Sequence, residues 1–211
     1  MFVIILWSMR YHVKHKEESR ARILDSAAKQ FRAGGVETVR VADVMNAAHL
    51  THGGFYKHFA DKDELLHEAI RTALIEVSAQ LAQLTEGLSR NEALRTVIHF
   101  YLSEEHLQRP ELGCALAALG TEMARMSQPM KRQVSMALDA YAERLSYLMP
   151  GNSEEERRSA FLVLFPSMAG CLMTARAHDS PKRQQQILLA GRAFFTNAFC
   201  GSGAEQREST Q

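Results

Sequence analysis

Residues 51 to 62 concentrate the side chains best suited to chemistry with an external partner. Thr51 and His52 lead, Gly53 and Gly54 follow, and Tyr56, Lys57, His58 and Lys62 come after them. Each of these polar side chains can donate a hydrogen bond. Thr51 can cap a helix and also donate to a phosphate or a base edge, and His52 can reach a base acceptor. The two glycines leave almost no side chain, so the backbone can approach a partner closely. His49, His52 and His58 could also suggest a metal site, but no carboxylate or cysteine completes a ligand set, and no metal is expected.

These groups need helices to hold them. Ile23, Leu24, Ala27, Ala28 and Phe31 fall on one helical face, and Gly34-Gly35 supplies the permissive backbone that ends that helix. A second, short helix covers roughly 41–48, with Arg40 at its start as a further cation placed to clamp a phosphate. A turn at His49-Leu50 follows, and Thr51 N-caps a third helix of about two turns through His58. Asp61 with Glu64 resembles a capping box opening a fourth helix to about Leu84. Three short helices with a tight turn before the third form the skeleton of a DNA-binding helix-turn-helix, whose third helix enters the major groove by its N-terminal end. Phe55 and Phe59 are expected in the core. The charge distribution agrees: residues 1–62 hold ten Lys/Arg against six Asp/Glu, whereas 63–211 hold fifteen against eighteen.

The run Arg22-Ile23-Leu24-Asp25-Ser26-Ala27-Ala28, then Phe31, Gly34-Gly35, Val44, Ala47-Ala48 and Leu50 through Leu65, resembles the signature of the TetR family of transcriptional regulators. Its most distinctive portion is Phe55-Tyr56-Lys57-His58-Phe59-Ala60-Asp61-Lys62-Asp63-Glu64-Leu65. The resemblance implies that Tyr56, His58 and Lys62 contact phosphates, with Thr51, His52, Gly53 and Lys57 on the same helix. It also implies that the basic stretch Arg10 to Lys16, with Tyr11 and Lys14, is an arm along the DNA backbone or in the minor groove. Two positions depart from the family pattern: Arg40 stands where Ser or Thr is usual, leaving the second helix without a normal N-cap, and His49 stands where Gly is usual. Histidine tolerates a left-handed backbone better than most residues.

Beyond the fourth helix, breaks delimit further helices over about 91–108, 114–126, 130–148, 154–177 and 182–199, with Pro166 inside the penultimate one. No segment shows strand alternation, so the class is all-α, with about nine helices. The resemblance implies a ligand-binding and dimerisation body, its last two helices pairing with those of a second copy. Phe161, Leu164, Met168, Leu172, Leu188, Gly191 and Phe195 are the expected dimer contacts. Cys114, His99, Met123, Met126, Tyr141 and Phe165 are the expected sensor or ligand residues. Glu111-Leu112-Gly113-Cys114 is similar to the Gly-Cys segment of family members that sense electrophiles or oxidants, and a thiol near a helix N-terminus is chemically suited to that role. Ordinary methionine-rich core is the other reading of most of these residues.

The expected organisation is a tail and basic arm over 1–16, a helix-turn-helix domain over 17–62, a ligand-binding and dimerisation domain over 63–200, and a polar tail over 201–211. Phe2 to Trp7 is apolar but too short to span a membrane, and Met9 opens a more usual N-terminus. Three cysteines without a CxxC pair fit a reducing, cytoplasmic setting. There is no Gly-x-Ser-x-Gly, no HExxH and no phosphate-cradling glycine loop, so no enzyme and no cofactor is expected. The expected partners are double-stranded operator DNA, a second copy of the chain, and a small-molecule or electrophile effector, with repression the expected mode. A helical ligand carrier that binds no DNA is the alternative, and it has no use for the arm together with Thr51 to Lys62.

Overall fold

The computed structural model describes residues 2–201, and their side chains from Lys14 onward. The side chain expected of Tyr11 and the polar tail beyond Gly201 lie outside the described residues. Nine α-helices and three short 3-10 helices follow one another, with no strand among the described residues. Helix α1 spans Phe2–Gly34, so the basic stretch expected as an arm ahead of the first helix is its N-terminal half. Ile23, Leu24, Ala27, Ala28 and Phe31 are all buried, as their spacing predicts.

Helix α2 (Val41–Ala47) lies against α1, pinned where Ser26 Oγ donates to the Val44 carbonyl at 3.1 Å and the Gln30 amide donates to Ser26 Oγ at 2.9 Å. His49 then adopts φ 58°, the only non-glycine residue with positive φ among those described. The third element, His52–Lys57, is a 3-10 helix rather than the two-turn α-helix that the sequence suggests. The physical reason is local: Gly53-Gly54 give poor helical propensity, and the Thr51 side chain makes no capping bond. Helix α3 (Lys62–Leu84) opens as expected, with Asp61 Oδ1 accepting from Glu64 N at 2.8 Å. The Glu64 carboxylate reaches back to Ala60 N at 2.7 Å.

The expected helix over 91–108 is two helices, α4 (Arg90–Tyr101) and α5 (Glu104–Gln108). Ser103 Oγ accepts from His106 N at 3.1 Å, offering the backbone a cap that ends one helix and starts the next. After a 3-10 turn at Pro110–Leu112 come α6 (Ala115–Arg125) and α7 (Gln128–Leu145), then a 3-10 turn at Ser146–Leu148, α8 (Glu154–Arg176) and α9 (Pro181–Cys200). Phe165 of α8 centres an aromatic core, stacked on Phe161 at 4.4 Å and meeting Tyr101 and Tyr141 edge-on at 5.9 and 5.8 Å.

One buried cation joins the N-terminal helices to this body. The Arg32 side chain, 1% exposed, donates to the Ala28 carbonyl at 3.0 Å, the Gly113 carbonyl at 3.0 Å and Glu76 Oε2 at 3.2 Å. Arg20 adds a second link, lying 4.6 Å over the Phe59 ring and 3.5 Å from the Glu68 carboxylate.

The left-handed turn gives a stability test. His49→Gly should hold or raise the urea midpoint, whereas His49→Val should lower stability by about 1–2 kcal/mol, because a β-branched residue clashes at positive φ.

Candidate nucleic-acid interface and effector cavity

The turn from Thr51 to His58 presents one face inward and the other outward. Phe55 and Phe59 are buried and stacked 5.7 Å apart, anchoring the turn in the core. Thr51, His52, Gly53, Tyr56 and Lys57 are exposed, and Tyr56, at 71%, is the most exposed large hydrophobic residue among the described residues. A Cβ added at Gly53 would meet nothing within 4 Å. The chain's own packing therefore places no demand for glycine there, and the space that a bare backbone preserves lies on the outside.

Beside the turn is a concave basic surface lined by His15 and Lys16 of α1 and by Thr51, Lys57 and His58. His58 Nδ1 is buried without a partner, and the imidazole's pKa is lowered by burial first and then by Lys16, Arg20 and Lys57. An anion docked there would supply the missing acceptor and relieve the crowding of like charges.

Other expected contacts are placed differently. Arg40 N-caps α2 with no side-chain cap, as its type predicts, and its guanidinium grips Asp43 at 2.9 and 3.1 Å, so a phosphate must compete with that carboxylate. Lys62 Nζ donates to the Val36 carbonyl at 2.7 Å and fastens the start of α3 to the loop after α1. Lys14 is exposed, 3.9 Å from Glu18.

In the body, Cys114 N-caps α6 and is buried. Its backbone N–H donates to His106 Nε2 at 3.0 Å, which leaves the ring proton on Nδ1 to be donated to the Tyr101 carbonyl at 2.7 Å. The imidazole is thus neutral with both nitrogens used, and burial holds its pKa down at about 4. A Cβ at Gly113 would collide with His106 Nε2, so this packing requires glycine. Arg176 donates to the carbonyls of His106 at 2.6 Å and Leu107 at 3.2 Å, closing the loop from the α8 side. The hydroxyls of Tyr101 and Tyr141 are buried, and the Cys114 thiol is the polar neighbour of both. Burial pushes both phenol pKa values well above the usual value. A cavity of about 50 Å³, walled by Val77, Leu81, Phe100 and Leu112, runs in to Tyr101, His106 and Cys114.

Of the expected sensor residues, Cys114, Tyr141 and Phe165 come together. Met123 is buried and Met126 half-buried at the far end of α6, and neither lines this cavity. His99 faces outward beside Arg95 and Arg192, because its position on α4 is opposite the buried row Leu94, Val97, Ile98 and Tyr101. The expected dimer contacts need correction. Phe161, Leu164, Met168, Leu172, Leu188, Gly191 and Phe195 are all buried within the chain's own core. Both helices are apolar on two sides, and the inward side claims that row. Leu162, Val163 and Met173 of α8 and Leu189 and Phe194 of α9 are the large apolar residues left exposed. Arg32 and His106 were not legible as fold residues, since a basic residue in a helix's last turn and a histidine after two glutamates look like solvated surface.

The architecture is all-helical: a helix-turn-helix carried on a larger helical body with its own cavity. Residues 23–69 match the family model described as bacterial regulatory proteins, tetR family. The chain is 25% identical over 139 residues to the uncharacterized HTH-type transcriptional regulator YfiR of Bacillus subtilis, a match covering 64% of this chain and 66% of that protein. It is 36% identical over 71 residues to the regulator TtgR of Pseudomonas putida, covering 34% of this chain and 33% of the relative. The matches thus span just under two thirds and one third of these relatives' lengths. A TetR transcriptional regulator from Chloroflexus aurantiacus shares the fold with a TM-score of 0.67 at 21% identity, covering 88% of this chain and 98% of that one. NemR of E. coli in its reduced form gives 0.66 at 16% identity, covering 86% and 97%. Residues 23–69 are therefore similar to the tetR-family DNA-binding segment, and the chain as a whole shares the fold of these solved regulators.

His106 gives a pH test. Its folded-state pKa of about 4 lies below the ordinary 6.5, so the unfolded chain takes up the proton first. The stability contributed by the neutral ring is complete above 6.5 and is lost as the pH falls toward 4, by up to about 3 kcal/mol. Urea midpoints measured near these two pH values should fall more for the wild type than for His106→Gln.

Proposed function

We propose that this protein is a transcriptional regulator that binds a palindromic operator as a homodimer and represses until an effector releases it. The observation that carries the reading is the exposed Thr51–Lys57 turn, in which Gly53 is free of every internal packing demand. In this reading residues 17–62 bind DNA, with the basic stretch 1–16 beside them. Thr51, His52 and Gly53 face base edges, and Tyr56, Lys57, His58, Arg40 and Lys14 face phosphates. Lys62 makes its phosphate contact with the donors left over from Val36. Residues 63–200 bind the effector and dimerise. The chain's three cysteines, all free, suit a cytoplasmic protein.

The dimer is supported by the apolar exposure on α8 and α9. Phe194 is 67% exposed and Leu162 and Val163 are each 58% exposed, on two helices that pack side by side. An apolar face of this kind on a monomer marks an interaction surface. Helix α8 is also long and apolar enough to cross a membrane by length and composition alone, but its inward face is committed to the aromatic core. A two-fold dimer would present two recognition turns to two half-sites. The effector is a small apolar ligand in the body or a modification of Cys114, and it acts by favouring a dimer geometry that fits the operator poorly. Helix α3 is the lever, since it begins at the helix-turn-helix and ends beside the cavity.

Fluorescence anisotropy on labelled DNA from the gene's own upstream region tests this. Binding should be tight, with log affinity falling linearly with log salt. Gly53→Ala should weaken binding on the order of tenfold or more while leaving the unfolding free energy, from urea titration, within about 1 kcal/mol of wild type. Absence of specific binding both to this DNA and to a genome-wide operator screen would overturn the reading. Sedimentation analysis should give a dimer for the wild type and a monomer for Leu162→Glu with Phe194→Glu, and the monomer should lose operator affinity.

A further inference from the structure

We infer that the groove between the end of α3 and the outer face of α4 is a seat for an apolar carboxylic acid, its carboxylate on Arg95 and His99 and its apolar part on Leu84 and Phe100. Its effect on DNA binding rests on the regulator reading above; the binding itself does not.

The groove is lined by Leu84, Arg95, Thr96, His99 and Phe100 and has a volume of about 440 Å³, within the range of small-molecule clefts. Spacing along α4 gives it a polar and an apolar side. Arg95 and His99 are one turn apart and lie side by side, and Thr96 and Phe100 form the next row. Leu84, the last residue of α3, supplies the apolar wall from a second helix and is 39% exposed. Arg95 and His99 are themselves exposed, so their donors are open to a guest entering from solvent.

Charge decides what that guest is. Burial first, then Arg192 of α9, then Arg95 hold the His99 pKa below its ordinary value, and no acid figures among the groups acting on it. Among the described residues neither Arg95 nor Arg192 pairs with a carboxylate. Glu92, one turn before Arg95, closes the capping box of α4 instead, accepting from Ser89 N and Oγ at 3.1 and 2.6 Å. The region therefore carries positive charge that nothing internal balances. Arg192 does not line the groove, so it contributes field rather than a contact. A carboxylate answers this arrangement: a guanidinium presents parallel N–H donors that match its two oxygens, and the imidazole adds a ring N–H. A small hydrated anion would satisfy the cations but leave Leu84 and Phe100 in water, whereas an aromatic or alkyl group beside the carboxylate covers them.

The position also bears on the DNA-binding turn. Leu84 ends the helix that Lys62 begins, so a guest held between Leu84 and α4 acts on the far end of the helix that leaves the turn. It shifts DNA affinity by the difference in its own affinity for the DNA-competent and DNA-incompetent arrangements.

Calorimetric titration of the full chain with phenylacetate, phenylacetamide and acetate tests the inference. The amide keeps the ring and removes the charge, and acetate keeps the charge and removes the ring. The wild type should bind phenylacetate on the order of tenfold more tightly than either. The double variant Arg95→Gln with His99→Gln changes two exposed side chains, so it should fold, as far-UV circular dichroism will show, and it should lose the preference for the acid over the amide. Equal binding of acid and amide by the wild type, a preference surviving in the double variant, acetate matching phenylacetate (an adventitious ion only), or no binding at all would each overturn the inference. Anisotropy on operator DNA separates the two readings. Phenylacetate binding by a protein that has no specific DNA affinity leaves this site standing and the regulator reading failed; normal DNA affinity without phenylacetate binding fails this inference alone.

Discussion

The guanidinium of Arg32 is the interaction on which the rest of the arrangement depends. A cation with 1% exposure survives inside a protein only when its donors are satisfied, and here they reach three separate elements: the Ala28 carbonyl in α1, the Glu76 carboxylate on α3 and the Gly113 carbonyl before α6. Removing any one acceptor leaves a buried charge short of partners, which costs far more than an ordinary surface ion pair. The position of α1 is thereby tied to the position of the Gly113-Cys114 segment. Since α1 also carries the Ser26 and Gln30 contacts that seat α2, the turn that follows α2 inherits its placement from a residue deep in the body.

The same logic explains why the two functional surfaces differ in character. The outward turn is intrinsically poor secondary structure: a 3-10 helix with two glycines, an unused Thr51 hydroxyl and an unpartnered His58 Nδ1. It is held by Phe55 and Phe59 beneath it, and its unfilled hydrogen-bonding capacity is what a DNA backbone can fill. The cavity in the body is instead bounded by strong internal bonds, with His106 and Arg176 fixing the loop around Cys114.

Much of this was legible in the sequence where the signal is local. The buried stripe from Ile23 to Phe31, the Asp61 cap, the left-handed backbone at His49 and the inward Phe55 and Phe59 all follow from spacing and residue type. The TetR-family domain was legible from the same residues. What escaped depends on distant partners. Arg32 finds its carbonyl 81 residues away, and the pairing of His106 with Cys114 exists only once α5 folds back on α6. The burial of the residues expected at a dimer contact escaped for a different reason. Helices α8 and α9 are apolar on two sides, so periodicity alone could not say that Leu164 and Phe195 face the core while Leu162 and Phe194 face out. Ser103 similarly split one expected helix in two, because a serine in mid-pattern reads as a tolerated interior residue until its hydroxyl is seen capping.

Selection of bound fragments from a random double-stranded DNA pool by the full chain tests the central claim most directly. The account predicts recovery of an inverted repeat whose half-sites lie about one helical turn apart, roughly 34–36 Å or a multiple of it, as two recognition turns related by a two-fold axis require. Recovery of no sequence above background, or of a single asymmetric site bound by one chain, would contradict it.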